Sequence, residues 1–262
     1  MKKKSHGLFL AIVIGAVLAT ILFITFYHEP KDETPENTNE PSMEQEASKE
    51  EDQQEEPEIK QEPEEPTKPA VDLNDEYLIL ANKTHDLPAD YEPDDLTAIK
   101  HHAGGQNNKL RAAAAEAIDK LFERAQDEGY NIQSISAYRT YSYQQNLFNN
   151  YVKKHGEEEA VKFSARPGQS EHQTGLACDV SSPCVGWDLK YSYGDTEEGK
   201  WLAEHAHEYG FIIRYFDGTS TETGAITGYL YEPWHIRYVG VEHATAIFEQ
   251  GITLEEYLGQ TD

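Results

Sequence analysis

Residues 28–70 carry too little apolar surface to fold, and that fact bounds the rest of the chain. The stretch holds 16 acidic and 4 basic residues and 7 of the chain's 12 prolines. Its apolar side chains are Met43, Ala47, Ile59 and Ala70. A segment of net charge −12 with nothing to bury cannot offset the entropy of ordering its backbone. It is expected to be a disordered, self-repelling tether, about 35–40 Å across as a coil and about 130 Å if stretched into a polyproline-like form. Folding is therefore left to the sequence on either side.

Residues 1–27 read as an N-terminal membrane anchor. Lys2, Lys3 and Lys4 precede an apolar run from Leu8 to Phe26, 19 residues, about the length that crosses a hydrocarbon core of roughly 30 Å. A cleavable signal peptide has a shorter apolar core and a small-residue cleavage site. The run here ends in Phe26-Tyr27-His28-Glu29, which offers none. The lysines place the N-terminus in the cytoplasm and everything after the helix outside. The expected localisation is thus a single-pass protein of the cell membrane whose folded part is extracellular.

Residues 71–262 hold all three Trp and carry net charge −17 of the chain's −26. They are long enough for one good core, and no internal repeat is present. Such an acidic domain lacks the basic face that nucleic acid requires, so no nucleic-acid partner is expected.

Apolar periodicity predicts helices over Lys109–Glu128, Ser142–Lys154, Glu198–Tyr209 and Val241–Gln250, three of them followed by Gly129, Gly210 and Gly251 as C-caps. Strands are predicted over Asn131–Tyr138, Leu176–Val180, Phe211–Tyr215 and Trp234–Tyr238. Helices and strands intermix without a regular βαβ rhythm. The expected class is α+β, an antiparallel or mixed sheet with helices packed beside it.

Three segments carry residues suited to chemistry: Ser170-Glu171-His172-Gln173-Thr174-Gly175-Leu176-Ala177-Cys178-Asp179, Glu232-Pro233-Trp234-His235-Ile236-Arg237-Tyr238, and Ser136-Ala137-Tyr138-Arg139 with Gln144 beyond it. A catalytic zinc takes three protein ligands, commonly His and carboxylate, and keeps one position open. His172, Asp179 and His235 offer nitrogen, oxygen and nitrogen. Gly175 lets the chain turn between the first two. Pro233 holds Glu232 extended, which would set its carboxylate beside the metal, where it can accept a proton from water. Singly these residues are ordinary: a His before an apolar strand is more often structural, and Glu232 could pair with a surface Arg. The joint pattern carries the weight, and it points to metal-assisted hydrolysis.

The combination S-x-H-x-x-G-x-A-x-D and E-P-W-H resembles the VanY-type zinc D,D- and L,D-carboxypeptidases, of the group that includes D-Ala-D-Ala dipeptidases, lysostaphin-like enzymes and the hedgehog signalling domain. The resemblance covers roughly Asp72 to Gly251 and includes Ala165-Arg166-Pro167-Gly168 and Trp234-His235-Ile236-Arg237-Tyr238-Val239-Gly240. It implies a small α+β domain with a central antiparallel sheet flanked by helices and a zinc site on the sheet. It implies zinc ligation by His172, Asp179 and His235, with Glu232 as catalytic base. It also implies that Arg139, Gln144 and Ser170 bind the substrate's terminal carboxylate or the reacting carbonyl. The implied partners are peptidoglycan stem peptides ending in D-alanine, and the leaning is to the D,D bond. An Arg suits a free carboxylate because its planar fork can hold both oxygens. Stabilising the oxyanion of the tetrahedral intermediate is the other role open to Arg139.

Rival readings are an L,D-carboxypeptidase acting on tetrapeptide stems and a non-catalytic zinc module that only holds a wall peptide. The base at Glu232 argues against the second, since binding does not need it. A serine D,D-peptidase is excluded, because no Ser has Lys three residues on. Cys178 and Cys184 are the only cysteines. Outside the cell a bridge between them is one expectation, and two buried free thiols are the other. Alternation along the strand points the Cys178 thiol away from the metal, and no basic setting activates it as a nucleophile.

Overall fold

The computed structural model describes residues 71–104, 107–216 and 226–261, all within the compact unit Glu64–Asp262. The expected anchor at 1–27 and tether at 28–70 lie outside the described residues. Among the described residues no helix is long and apolar enough to cross a membrane.

From residue 71 an irregular segment leads to two short strands, β1 (Leu96–Ala98) and β2 (Lys109–Arg111), antiparallel to each other. Helix α1 (Ala112–Asp127) follows at once. The predicted helix began three residues earlier, at Lys109. Those residues are instead drawn into β2, and the Arg111 amide bonds Gly175 O at 2.8 Å. Then come β3 (Gln133–Ser136), α2 (Tyr141–His155) and α3 (Glu157–Phe163). The Thr140 hydroxyl caps α2 by accepting from the Tyr143 amide. A short 3-10 turn at Glu171–Thr174 leads into β4 (Ala177–Ser181). Next are α4 (Glu197–His205), β5 (Phe211–Tyr215), β6 (Glu232–Tyr238), α5 (Val241–Gln250) and α6 (Leu254–Leu258). The predicted helix over Glu198–Tyr209 tightens into a 3-10 turn from Ala206.

The central sheet has four strands in the order β3-β4-β6-β5, all antiparallel. The protein is α+β, with helices flanking that sheet. Side chains alternate across it. Cys178, Val180, Phe211 and Ile236 join Ile118, Leu121 and Phe122 of α1 and Leu202 of α4 in the main core. Ile212 and Val239 pack in a second cluster with Ala244 and Ile247 of α5 and Leu254 and Leu258 of α6. The residues between, Asp179, His235 and Arg237, are charged or polar yet 4% exposed or less. A sheet that buries such residues must give them partners.

Candidate metal centre and active site

The first metal-type residue, His172, sits in the 3-10 turn closed by Gly175, whose φ is 71°. A Cβ at Gly175 would lie 3.0–3.2 Å from Arg111, Leu96 and Pro93. Both the positive φ and the lack of space require glycine there. The His172 ring is oriented from behind: Nδ1 donates to Ala137 O at 2.7 Å. Nε2 therefore carries the lone pair. That atom is buried and has no hydrogen-bond partner, and it lies 3.3 Å from Asp179 Oδ2.

Asp179 and His235 face each other as register partners of β4 and β6, with Oδ1 3.0 Å from His235 Nδ1. The two imidazoles stand edge to face, centroids 4.9 Å apart. One donor atom from each of His172, Asp179 and His235 falls within 4.8 Å of the others. The unpartnered, buried Nε2 and the N, O, N donor set fit a zinc ion, whose bonds of about 2.0–2.2 Å suit donors this close together. Burial and the nearby Arg139 pull the His172 pKa down to about 4, so its ring is neutral and ready to ligate. Burial opposes ionisation of Asp179, but the two histidines and Arg139 hold its carboxyl well below the usual range. For His235, burial favours the neutral ring, yet Asp179 and Glu171 raise its pKa to about 9. A cation arriving there displaces that proton.

Register on β6 breaks here. Ile213 pairs with Ile236 and Tyr215 with Glu232, so β6 carries extra residues around Pro233. Such bulges commonly re-aim side chains beside functional sites. Proline fits because it lies beyond the β4 pairing, which ends at His235. The predicted strand thus extends to Glu232, with the extended backbone expected before proline. The Glu232 carboxylate comes 3.9 Å from His235 Nδ1, beside the donor set rather than in it. Burial raises its pKa to about 7.

Arg139, Gln144 and Ser170 line the same cleft of about 430 Å³, with Tyr215, Tyr229 and Trp234. Arg139 Nη1 lies 3.3 Å from Ser136 Oγ and 3.5 Å from Asp179 Oδ2. Its Nε and Gln144 Oε1 are buried without partners, while Gln144 Nε2 donates to Ala165 O at 2.8 Å. The cleft therefore presents a guanidinium donor and an amide, both with spare hydrogen-bonding capacity, together with the Glu232 carboxylate. His172, Asp179, His235, Glu232, Arg139, Gln144 and Ser170, all singled out in the sequence, line this one cleft.

The cysteine bridge is not formed. Cys178 is a buried free thiol and Cys184 an exposed one. Cys178 points into the core, 3.2 Å from Ser134 Oγ. Cys184 lies beside Ser182 and Glu198 at the surface. Alternation along β4 sends the Cys178 thiol into the core while Cys184 sits at the surface, and the expectation of two buried thiols also fails at Cys184.

Behind these residues lies a buried ion network that the motifs do not reveal. Glu171 bonds Arg214, Arg237 and His235, and Arg214 also bonds Glu255 of α6. The available signal was an arginine inside each of two apolar strands, Phe211-Ile212-Ile213-Arg214-Tyr215 and Trp234-His235-Ile236-Arg237-Tyr238. A charge there has to be paired.

An α+β domain with a buried His–Asp–His set at a cleft floor, and a carboxylate beside it, has the architecture of a metallopeptidase. Residues 107–241 match the VanY family, D-alanyl-D-alanine carboxypeptidase, and the chain belongs to that family. It is 44% identical over 184 residues to the putative carboxypeptidase YodJ of Bacillus subtilis, covering 69% of this chain and just under two thirds (66%) of that protein. Among solved structures it resembles the LdcB LD-carboxypeptidase, with 42% identity, TM-score 0.64 and coverage of 71% of this chain and 88% of the other. It also resembles a mutant of the vancomycin-resistance D,D-pentapeptidase VanY, solved in complex with Zn(II), with 34% identity, TM-score 0.57 and coverage of 70% and 99%.

Proposed function

We propose that this protein is a zinc carboxypeptidase that removes the C-terminal D-alanine from peptidoglycan stem peptides. The observation that carries the reading is the cleft floor: a buried His–Asp–His set with one unpartnered nitrogen, with Glu232 beside His235 and Arg139 beside Asp179. His172, Asp179 and His235 would hold the ion. When bound, zinc supplies Lewis acidity toward the scissile carbonyl and raises the acidity of water. Glu232 accepts a proton from the attacking water and passes it to the departing D-alanine nitrogen. Arg139 and Gln144, with Ser170, hold the substrate's carboxylate and place the terminal peptide bond over the donor set. The aromatic residues of the cleft exclude water around the reacting bond.

The residue before the bond divides the reading. The family description and the VanY relative favour a D,D-carboxypeptidase acting on pentapeptides. The higher identity to LdcB, 42% against 34%, favours L,D-cleavage of tetrapeptides. Incubating the purified protein with synthetic penta- and tetrapeptide stems, followed by mass spectrometry, separates them. Loss of one D-alanine from either confirms a carboxypeptidase and names the bond. Binding without loss from both would make the domain a wall-peptide-binding module.

The site works at the bacterial cell surface in this reading. The apolar run behind Lys2–Lys4 would hold the protein in the membrane with its N-terminus inside, and the acidic, proline-rich stretch would space the domain toward the wall. Support comes from the sequence pattern of residues 1–70, and protease protection in intact cells tests it.

A further inference from the structure

Glu171 immediately precedes His172 and is 1% exposed, although a lone carboxylate at such depth is strongly unfavourable. Its two oxygens are used differently. Oε1 accepts from Arg214 Nε and from Arg237 Nη1, both at 2.8 Å. Oε2 lies 3.3 Å from His235 Nε2, at the opposite side of the imidazole from Nδ1, which faces Asp179. The carboxylate is itself held rigid. Arg214 is clamped from its other side by Glu255 at 2.6 and 2.9 Å, and Glu255 is bonded by Asn82 at 3.1 Å. Arg237 is fixed by the carbonyls of Tyr77 and Ile79 at 2.9 and 2.7 Å.

We propose that Glu171 is a positioning residue: it accepts the Nε2 proton of His235 and so fixes the ring with the Nδ1 lone pair turned to the metal shared with His172 and Asp179. This rests on the metal reading of the cleft given above. Three features support it. The two guanidiniums occupy Oε1, which leaves Oε2 for the imidazole and keeps Glu171 from competing with Asp179 as a ligand. Each ring nitrogen faces a carboxylate, Nδ1 Asp179 and Nε2 Glu171, and once a cation takes the Asp179 side it is the Glu171 side that keeps the proton. His172 solves the same problem with a neutral main-chain carbonyl, Ala137 O. His235 uses an anion, which also makes its ligating nitrogen a stronger donor.

The alternative is that Glu171 merely neutralises two buried arginines. The test uses the full chain, stripped of metal and titrated with Zn²⁺ against a chromophoric chelator, and separately loaded with Co²⁺ for visible absorption. E171Q should bind zinc 10- to 100-fold more weakly, the usual loss when such an outer partner is removed, with a changed Co²⁺ spectrum. E171D keeps the charge for the arginines but withdraws it from His235, and should weaken zinc binding likewise. E255Q removes charge from the same network without touching His235; it should lower thermal stability and keep the native zinc affinity and Co²⁺ spectrum. Native zinc binding in E171Q or E171D overturns the proposal, as does an equal loss in E255Q. In the zinc-loaded native protein, imidazole ¹⁵N shifts should show His235 protonated on Nε2 and metallated on Nδ1. The reverse assignment overturns the proposal without recourse to any variant. A native protein that takes up no zinc would instead refute the metal reading itself.

Discussion

Replacing Glu232 by Gln tests the chemistry most directly, because it removes a base while keeping the shape of the side chain. The carboxylate lies 3.9 Å from His235 Nδ1, beside the donor set, so its loss should leave zinc binding intact. A positioned general base contributes about 10²–10⁴ in rate, which is about 2.7–5.4 kcal/mol at 1.36 kcal/mol per decade. The structure also sets the pH dependence. Burial raises the Glu232 pKa from 4.5 to about 7, and a cation on the adjacent ligands draws it back down. The base works ionised, so kcat/KM should rise with pH, with a midpoint between those two values. In E232Q that acid limb should vanish along with the activity. The assay is D-alanine release from synthetic stems by a coupled D-amino acid oxidase, with zinc content measured on the same samples. Turnover in E232Q within tenfold of native, or an unchanged acid limb, would refute the assignment of Glu232 as base. Loss of zinc from E232Q would place its carboxylate among the ligands.

Zinc removal should lower thermal stability, since the ion binds only the folded site. At a free concentration of about 1,000 times Kd the stabilisation is about 4 kcal/mol, or about 8–16 °C in melting temperature for a domain of this size; a melt insensitive to chelator would contradict it. Arg214→Met takes one of two guanidiniums from Glu171, leaves buried Glu255 with only the Asn82 amide, and should cost about 3–5 kcal/mol. The Glu171 carboxyl is held below its ordinary range, because Arg214 and Arg237 outweigh the opposing effect of burial. Its contribution is therefore complete above the unfolded value of 4.5 and lost as pH falls below it. Melts of native and R214M protein should converge in acid, and a gap that stays constant to low pH would argue against the ion network. A thiol reagent should titrate one group in the native protein, the exposed Cys184, and two after denaturation. Burial pushes the Cys178 thiol up and keeps it unreactive, and a reductant should leave the melt unchanged. Activity on anionic stem peptides should rise modestly with salt, as the acidic domain's repulsion is screened. A steep fall would show that attraction governs the encounter.

Much of the fold was legible where the signal is local. Val241–Gln250 and Phe211–Tyr215 were placed to the residue, because a helical apolar stripe ended by glycine and a short β-branched run each specify themselves. Other elements lack such local signals or carry them only at their ends. Helix α6 carries a capping box, Thr253 with Glu256, which was readable. The pairing of Leu96–Ala98 with Lys109–Arg111 was not. Three residues of strand have no periodicity, and only the partner strand and Gly175 behind it turn Lys109 out of the helix.

The sequence by itself determined which residue types meet the chemistry: two histidines, an aspartate and a glutamate in motifs whose spacing suits a metal and a base. It also carries the expectation that residues 28–70, with 16 acidic side chains and four apolar ones, supply no core. Tertiary structure alone decided how those groups are poised. The register of β4 on β6 sets Asp179 against His235, the break in β6 moves Glu232 aside, and Ala137 O selects the His172 nitrogen. Glu171, Arg214, Arg237 and Glu255 gather from four distant parts of the chain behind His235. The reason is physical. A buried charge is tolerable only with partners at hydrogen-bond distance, and distance across strands is fixed by the folded sheet, not by neighbours in sequence.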